Sequence, residues 1–183
     1  MVMVGADLEG LELRCLGHYL ARFDEGAFAE VVINGDIHQQ NADRVGCTRK
    51  EVKTITYAFI YGAGDVKLGH SLSPELSDAQ KKTLGQELRR KFLDAIPGLE
   101  PLIDAVKLKV RTSGRLRALD GRPVFCTAEH ASLNYLLQSA GAIISKRWVV
   151  VGQEMIDAAG LTYDHDYTRC AYVHDEVQLS VVP

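Results

Sequence analysis

The sequence predicts an α+β fold, with a run of helices set between a strand at one end of the chain and a β-rich hairpin at the other. Three observations carry this reading. MVMVGADL alternates apolar side chains at the two-residue period of a strand. The segments that follow place apolar residues at helical spacing, punctuated by Gly, Pro, Asn and Asp. CAYVHDEVQLSVV then forms two β-rich arms meeting around His174 and Asp175. Such an order implies that the first strand and the closing hairpin pair in one small antiparallel sheet, with the helices segregated from it.

The strand gives way to a helix at about residue 9, where LELRCLGHYLARF sets Leu11, Leu13, Leu16 and Leu20 near helical spacing. AFAEVVING reads as a short helix stopped by Asn34 and Gly35, and DIHQQNADRV as another capped by Asp36. In TRKEVKTITYAFIYGAG, Thr48 and Glu51 form an S/T-x-x-E capping box that starts a helix at Arg49. A polar loop, SLSPELSD, leads to a helix from about Ser77 to Ile96, which Pro97 and Gly98 end; a further helix covers residues 100 to 112. RLRALDGRPVF carries a D-G turn between two short β arms. From Glu129 the helical pattern persists to Gly160 as one long helix. No internal repeat, low-complexity run or linker interrupts the chain.

Composition excludes a disordered or membrane-spanning chain, since 46% of residues are hydrophobic, 25% charged, and no apolar run is long enough to cross a bilayer. MVMVGADLEG lacks the basic start and apolar core of a secretory signal, so an intracellular protein is expected. Cys15, Cys47, Cys126 and Cys170 form no C-x-x-C pair and are read as reduced, small, buried side chains. The net charge of −3 argues against a uniformly cationic binder, yet residues 81 to 122 hold eleven Lys or Arg against five Asp or Glu. That stretch fits either a polyanion track or an ordinary solvated helix face. The chain stops seven residues beyond Glu176 in mid-strand pattern, which implies a partial gene product.

Two groups of residues carry chemistry. Arg49, Lys53, Tyr57 and Tyr61 recur every four residues, and at 100° per residue they form one ridge, with Val52, Ile55, Thr56 and Phe59 turned to another side. Two cations near the positive end of a helix, with an aromatic ring one turn on, suit a nucleoside triphosphate. Alone, such a ridge is more often a solvated helix face. Asp7 and Glu9 are read as standing on one face of the first strand at its carboxyl end, and Asp175 and Glu176 at the hairpin tip. If those strands are neighbours, their carboxylates meet, and hard divalent cations take such oxygen ligands with phosphates completing the shell. A metal pair about 3.5 to 4 Å apart serves in-line phosphoryl displacement.

Conjunction and order make these segments recognisable. D-L-E-G-L-E-L-R, R-K-E-V-K-T-I-T-Y-A-F-I-Y-G and V-H-D-E resemble motifs A, B and C of family A DNA polymerases, and in particular those of short-tailed bacteriophages. The likeness extends through CLGHYLARFD, NGDIHQQN, FIYGAGDVKLG, LDGR and LNYLLQSAGA, nearly the whole chain. It implies helical fingers plus a partial palm with a small antiparallel sheet. Residues 1–35 would be partial palm, 36–112 fingers with the motif B helix at 48–62, and 113–183 remaining fingers and palm; thumb and exonuclease are absent.

By the same resemblance, Asp7 and Asp175 hold two magnesium ions with the carbonyl of Leu8, and Glu176 is an accessory acid. Lys53 and Arg49 grip the triphosphate, His38 also reaches it, and Tyr57 lies against the sugar, where tyrosine goes with weak discrimination against a missing 3′-hydroxyl. Glu12 resembles the gate that excludes ribonucleotides, with Tyr61 hydrogen-bonded to it. Asn134, Gln138, His174 and His130 resemble residues that touch template and primer. The implied partners are primer-template DNA, deoxynucleotides and a processivity factor bound through regions outside this chain, with no membrane, in the cytoplasm of an infected bacterial cell. Glu9 departs from the usual serine, and Ala58 from the usual glycine. The isolated fragment is expected to be inactive or nearly so, its sheet edges being incomplete.

Three alternatives stand beside this reading. A single-subunit RNA polymerase shares the aspartates and the basic helix, but Glu12 and Tyr57 argue against it. An HD-type metal phosphohydrolase would explain His174-Asp175, yet needs more ligand histidines in a helical scaffold. A non-catalytic nucleic-acid-binding remnant would retain the basic segment alone.

Overall fold

The computed structural model describes residues 1–183. Strand β1 (Val2–Asp7) is followed by α1 (Leu11–Asp24), α2 (Ala27–Asn34), α3 (Ile37–Val45) and α4 (Arg49–Ile60), then by α5 (Asp65–Leu72), α6 (Asp78–Ala95) and α7 (Leu99–Ser113). The hairpin β2 (Arg115–Arg117) and β3 (Pro123–Phe125) and a 3-10 turn at Glu129–Ala131 precede the long α8 (Ser132–Ala158); β4 (Tyr167–Val173) and β5 (Glu176–Val181) close the chain. The larger sheet has the order β1-β5-β4, antiparallel throughout, so the two ends of the chain are neighbours as the α+β reading requires.

Local chemistry starts the helices where the sequence signals them. Asp36 accepts from the Gln39 N–H at the head of α3. At α4 the capping box closes in both directions: Thr48 Oγ1 accepts from Glu51 N at 3.2 Å and the Glu51 carboxylate from Thr48 N at 2.8 Å. Ser77 and Gln80 repeat the device at α6. Val52, Ile55, Thr56, Phe59 and Ile60 of α4 are buried, which leaves Arg49, Lys53, Tyr57 and Tyr61 on the outer side. The core runs from α1 through α8, and Phe59 meets Phe92 of α6 with ring centroids 4.8 Å apart. Arg89 ties three elements together, donating to Asp65 of α5 and to the Ala63 carbonyl, both at 2.7 Å, while its guanidinium lies 5.3 Å from the Phe59 ring.

Four features differ from the sequence reading. Helix α5 forms inside the stretch read as running from the α4 stop into a polar loop. Its short, Gly-containing sequence has little helical propensity, and its place is set by packing on α6. Glu9 lies beyond the end of β1, in the turn before α1, so it does not share a strand face with Asp7. Cys15 is buried, and burial followed by the charge of Glu12 pushes its thiol up to about 11; Cys170, however, is exposed, because the β4–β5 register slips between Arg169 and Ala171 and leaves it unpaired. Finally, every residue of β1 is exposed, so pairing with β5, not burial of its alternating apolar side chains, holds it.

The α5–α6 crossing depends on two glycines. A Cβ on Gly85 would lie 1.8 Å from the Asp65 carbonyl oxygen, and one on Gly69 would lie 2.0 Å from that of Lys81. Alanine would gain up to about 1 kcal/mol of helix propensity, but such overlap with fixed backbone costs about 1–3 kcal/mol or more. Gly85→Ala is therefore expected to lower the thermal unfolding midpoint, and an unchanged midpoint would show the crossing to be looser than described.

Candidate functional site

Register brings the acidic ends together. Asp7 pairs across the sheet with Glu176, and the Leu8 N–H donates to the Asp175 carbonyl at 3.0 Å. Asp175 lines a cleft of about 380 Å³ together with Glu12, Tyr61, Gln138 and His174. Glu176 shares the sheet face of its cross-strand partner Asp7, and its carboxylate accepts from Gln178 Nε2 at 2.8 Å and lies over Gly5. No three His, Cys, Asp or Glu side chains converge as a ready-made cage. Asp7 at the end of β1 and Asp175 in the turn before β5 thus stand at neighbouring backbone positions, and carboxylates are hard oxygen donors of the kind magnesium takes.

A second cleft, of about 370 Å³, gathers Arg49, Lys53, Tyr57, His38 and Glu9. Lys53 is exposed to this space, and the His38 and Tyr57 rings stand 6.3 Å apart. Burial first, then the nearby charges of Arg49 and Lys53, lower the His38 pKa below its usual 6.5, and its Nδ1 is buried without a partner. Asp36 does more than cap α3: one oxygen holds the Gln39 N–H, while the other accepts from Arg49 Nε at 2.7 Å. This orients the guanidinium and leaves its terminal nitrogens free of the pair. Burial raises the Tyr57 pKa, followed by the charges of Glu12 and Asp175.

Three helices meet at a polar triangle in the wall of the first cleft. Tyr61 at the end of α4 donates to Glu12 of α1 at 3.1 Å, and Gln138 Nε2 of α8 lies 3.4 Å from the same carboxylate oxygen and 3.3 Å from the Tyr61 hydroxyl. Burial and then the Glu12 charge raise the Tyr61 pKa, keeping the phenol protonated as a donor. Asn134, one turn before Gln138, has its Oδ1 buried without a partner. His174 sits at the hairpin tip beside Asp175. His130 does not join them; it lines a separate cleft with Gly62, Arg89 and Lys107 behind the end of α4. The basic stretch from 81 to 122 is largely occupied, with Lys81, Arg89, Arg90, Lys91, Arg111 and Arg122 in ion pairs. Sequence reasoning missed the Asp36–Arg49 pair and the reach of Gln138 to Glu12, both of which join residues far apart along the chain.

The family model of DNA polymerase family A matches residues 1–183. The chain belongs to this family. Among family A relatives, the DNA-directed DNA polymerase of Escherichia phage T7 is 40% identical over 97% of this chain and 27% of its own length. That of Enterobacteria phage T3 is 39% identical over 98% of the chain and 27% of its own length. The chain therefore spans about a quarter of the length of these curated relatives. The fold is shared with the POL domain of Pol1 from M. smegmatis, solved in complex with DNA primer-template and dNTP, at a TM-score of 0.76 and 22% identity; that match covers 98% of this chain and 33% of the other. Family A polymerases in general use divalent metal. No relative gives support to the RNA polymerase alternative. No helix is long and apolar enough to cross a membrane.

Proposed function

We propose that this chain is the fingers and part of the palm of a template-directed DNA polymerase, adding deoxynucleotides to a primer 3′-hydroxyl during viral replication in the bacterial cytoplasm. Residues 1–35 and the closing hairpin belong to the palm, and 36–112 to the fingers. The observation that carries this reading is the β1–β5 pairing, which joins the end of β1 at Asp7 to the Asp175 tip, with Asp175 lining a cleft together with Tyr61 at the end of the helix that bears Arg49, Lys53 and Tyr57. Primer extension by the intact protein tests it, with deoxynucleotide incorporation expected.

Asp7, Asp175 and the Leu8 carbonyl would hold two magnesium ions, which when bound supply Lewis-acid polarisation of the phosphoryl oxygens. Arg49 and Lys53 bind the β- and γ-phosphates by charge-assisted hydrogen bonds and offset the charge that develops on departing pyrophosphate. Tyr57 supports the sugar. Gln138, Asn134 and His174 line the path of primer and template. Phosphoryl transfer asks chiefly for placement and charge stabilisation, and these residues provide both without a protein nucleophile.

Glu12, fixed by Tyr61 and Gln138, occupies the space of a ribose 2′-hydroxyl. Glu12→Ala is expected to raise ribonucleotide incorporation relative to deoxynucleotide by at least about ten-fold. Competition assays with paired nucleotides check this, and an unchanged ratio would remove Glu12 from the gate.

His38 makes nucleotide binding proton-linked. Its pKa in the free protein is lowered by burial and by neighbouring cations, whereas a bound triphosphate favours the imidazolium. Between the free and bound pKa values binding takes up a proton, so affinity rises as pH falls through that window. Calorimetry in buffers of different ionisation enthalpy detects the uptake, and His38→Gln is expected to abolish it. For folding the sign is opposite: the unfolded chain binds this proton more tightly, so the contribution of His38 to stability is lost as pH falls below 6.5.

A further inference from the structure

Serines and threonines inside helices commonly return their hydroxyl proton to their own helix, as Thr56 does to the Val52 carbonyl at 2.7 Å and Ser139 to that of Leu136 at 2.9 Å. Ser145, in the middle of α8 and fully buried, does not. Its Oγ donates across to the carbonyl of His174 at 2.6 Å and lies 2.9 Å from the Tyr172 hydroxyl. A serine has one proton to give. With that proton committed to His174, Tyr172 is the donor in the second bond, so a chain of hydroxyls runs from β4 through α8 to the hairpin tip.

The tip it reaches is strained. His174 adopts φ 55°, a left-handed conformation that residues other than glycine seldom take. The carbonyl that accepts from Ser145 belongs to the peptide joining His174 to Asp175, and the next carbonyl, of Asp175 itself, accepts from Leu8 N. Two successive carbonyls are therefore held, one by the long helix and one by the residue that follows β1. Between them they fix where the Asp175 side chain leaves the backbone.

We propose that Ser145 is a positioning residue, which locks the strained β4–β5 tip onto α8 and so aims the Asp175 carboxylate at its ligand. The proposal rests on the polymerase reading for its catalytic consequence, but its structural core is testable through metal binding alone. In the intact polymerase, Mn2+ affinity is measured by electron paramagnetic resonance without nucleotide, alongside kcat, KM for deoxynucleotide and the unfolding midpoint. Ser145→Ala is expected to weaken Mn2+ binding by about ten-fold, as loss of a group supporting a metal ligand does, and to lower kcat with KM unchanged. Ser145→Cys, close in size with a weaker donor, is expected to recover part of both, and carries the same test should the alanine variant not fold. Tyr172→Phe, which spares the Ser145–His174 bond, is expected to have the smallest effect. Wild-type Mn2+ affinity in Ser145→Ala or, failing that, in Ser145→Cys overturns the proposal, as does a loss of Mn2+ binding in Tyr172→Phe equal to that in the serine variants. A wild-type protein that binds Mn2+ but extends no primer sinks the polymerase reading instead, and leaves the metal-binding comparison intact.

Discussion

Asp175→Asn in the intact polymerase is expected to lower single-nucleotide incorporation by about a hundred- to a thousand-fold, with primer-template binding retained. Asparagine keeps the size and shape of the side chain at the hairpin tip but removes its negative charge, and a neutral amide is a poorer ligand than a carboxylate for a hard cation. The bonds that shape the tip are untouched, because Leu8 and Ser145 both hold main-chain carbonyls. The variant therefore separates chemistry from folding. Single-turnover kinetics at saturating magnesium measure the rate, and a gel-shift titration measures DNA binding. A wild-type rate would show that Asp175 serves only the structure of the turn. Loss of both rate and DNA binding would indicate a misfolded palm.

Lys53→Ala is expected to cost more than ten-fold in nucleotide incorporation. A hydrogen bond to a charged group contributes about 1.5–3 kcal/mol, which corresponds to about ten- to a hundred-fold in rate or affinity. Lys53 is exposed in the cleft beside Arg49 and His38, so its removal takes away no packing. Arg49 differs, since Asp36 already orients it and its loss would also unpair an acid at the head of α3. Pre-steady-state incorporation over a range of deoxynucleotide concentrations checks the lysine, and an unchanged rate and affinity would mean that the ridge serves no phosphate.

Much of this was legible in the chain because its signals are local. The Thr48–Glu51 capping box, the stops at Gly35 and Gly98, the D-G hairpin and the strand alternation each depend on residues a few positions apart. The α4 ridge is equally local, since the apolar face of the helix dictates which side chains are left outside. The pairing of the strand that ends at Asp7 with the hairpin that bears Asp175 was inferred from strand order. What escaped notice lies in contacts between distant segments. Helix α5 is held by glycine-mediated packing on α6, which no window of propensity reports. Asp36 read as a helix cap because capping is local, whereas its second oxygen serves Arg49 thirteen residues on. Nothing in the sequence marks Ser145, since its bond reaches a carbonyl twenty-nine positions away. Glu176 was grouped with Asp175 by adjacency, whereas its register sets it opposite Asp7 and its carboxylate accepts from Gln178, a contact two residues along the same strand.

The most direct test of the convergence of the two strand ends is a double-mutant cycle on metal binding. Mn2+ titrations of the intact polymerase with primer-template and deoxynucleotide compare Asp7→Asn, Asp175→Asn and the pair together. One shared site predicts that each single change removes most of the binding and that the double variant loses little more. Independent, additive losses, or full Mn2+ affinity in either single variant, would contradict it.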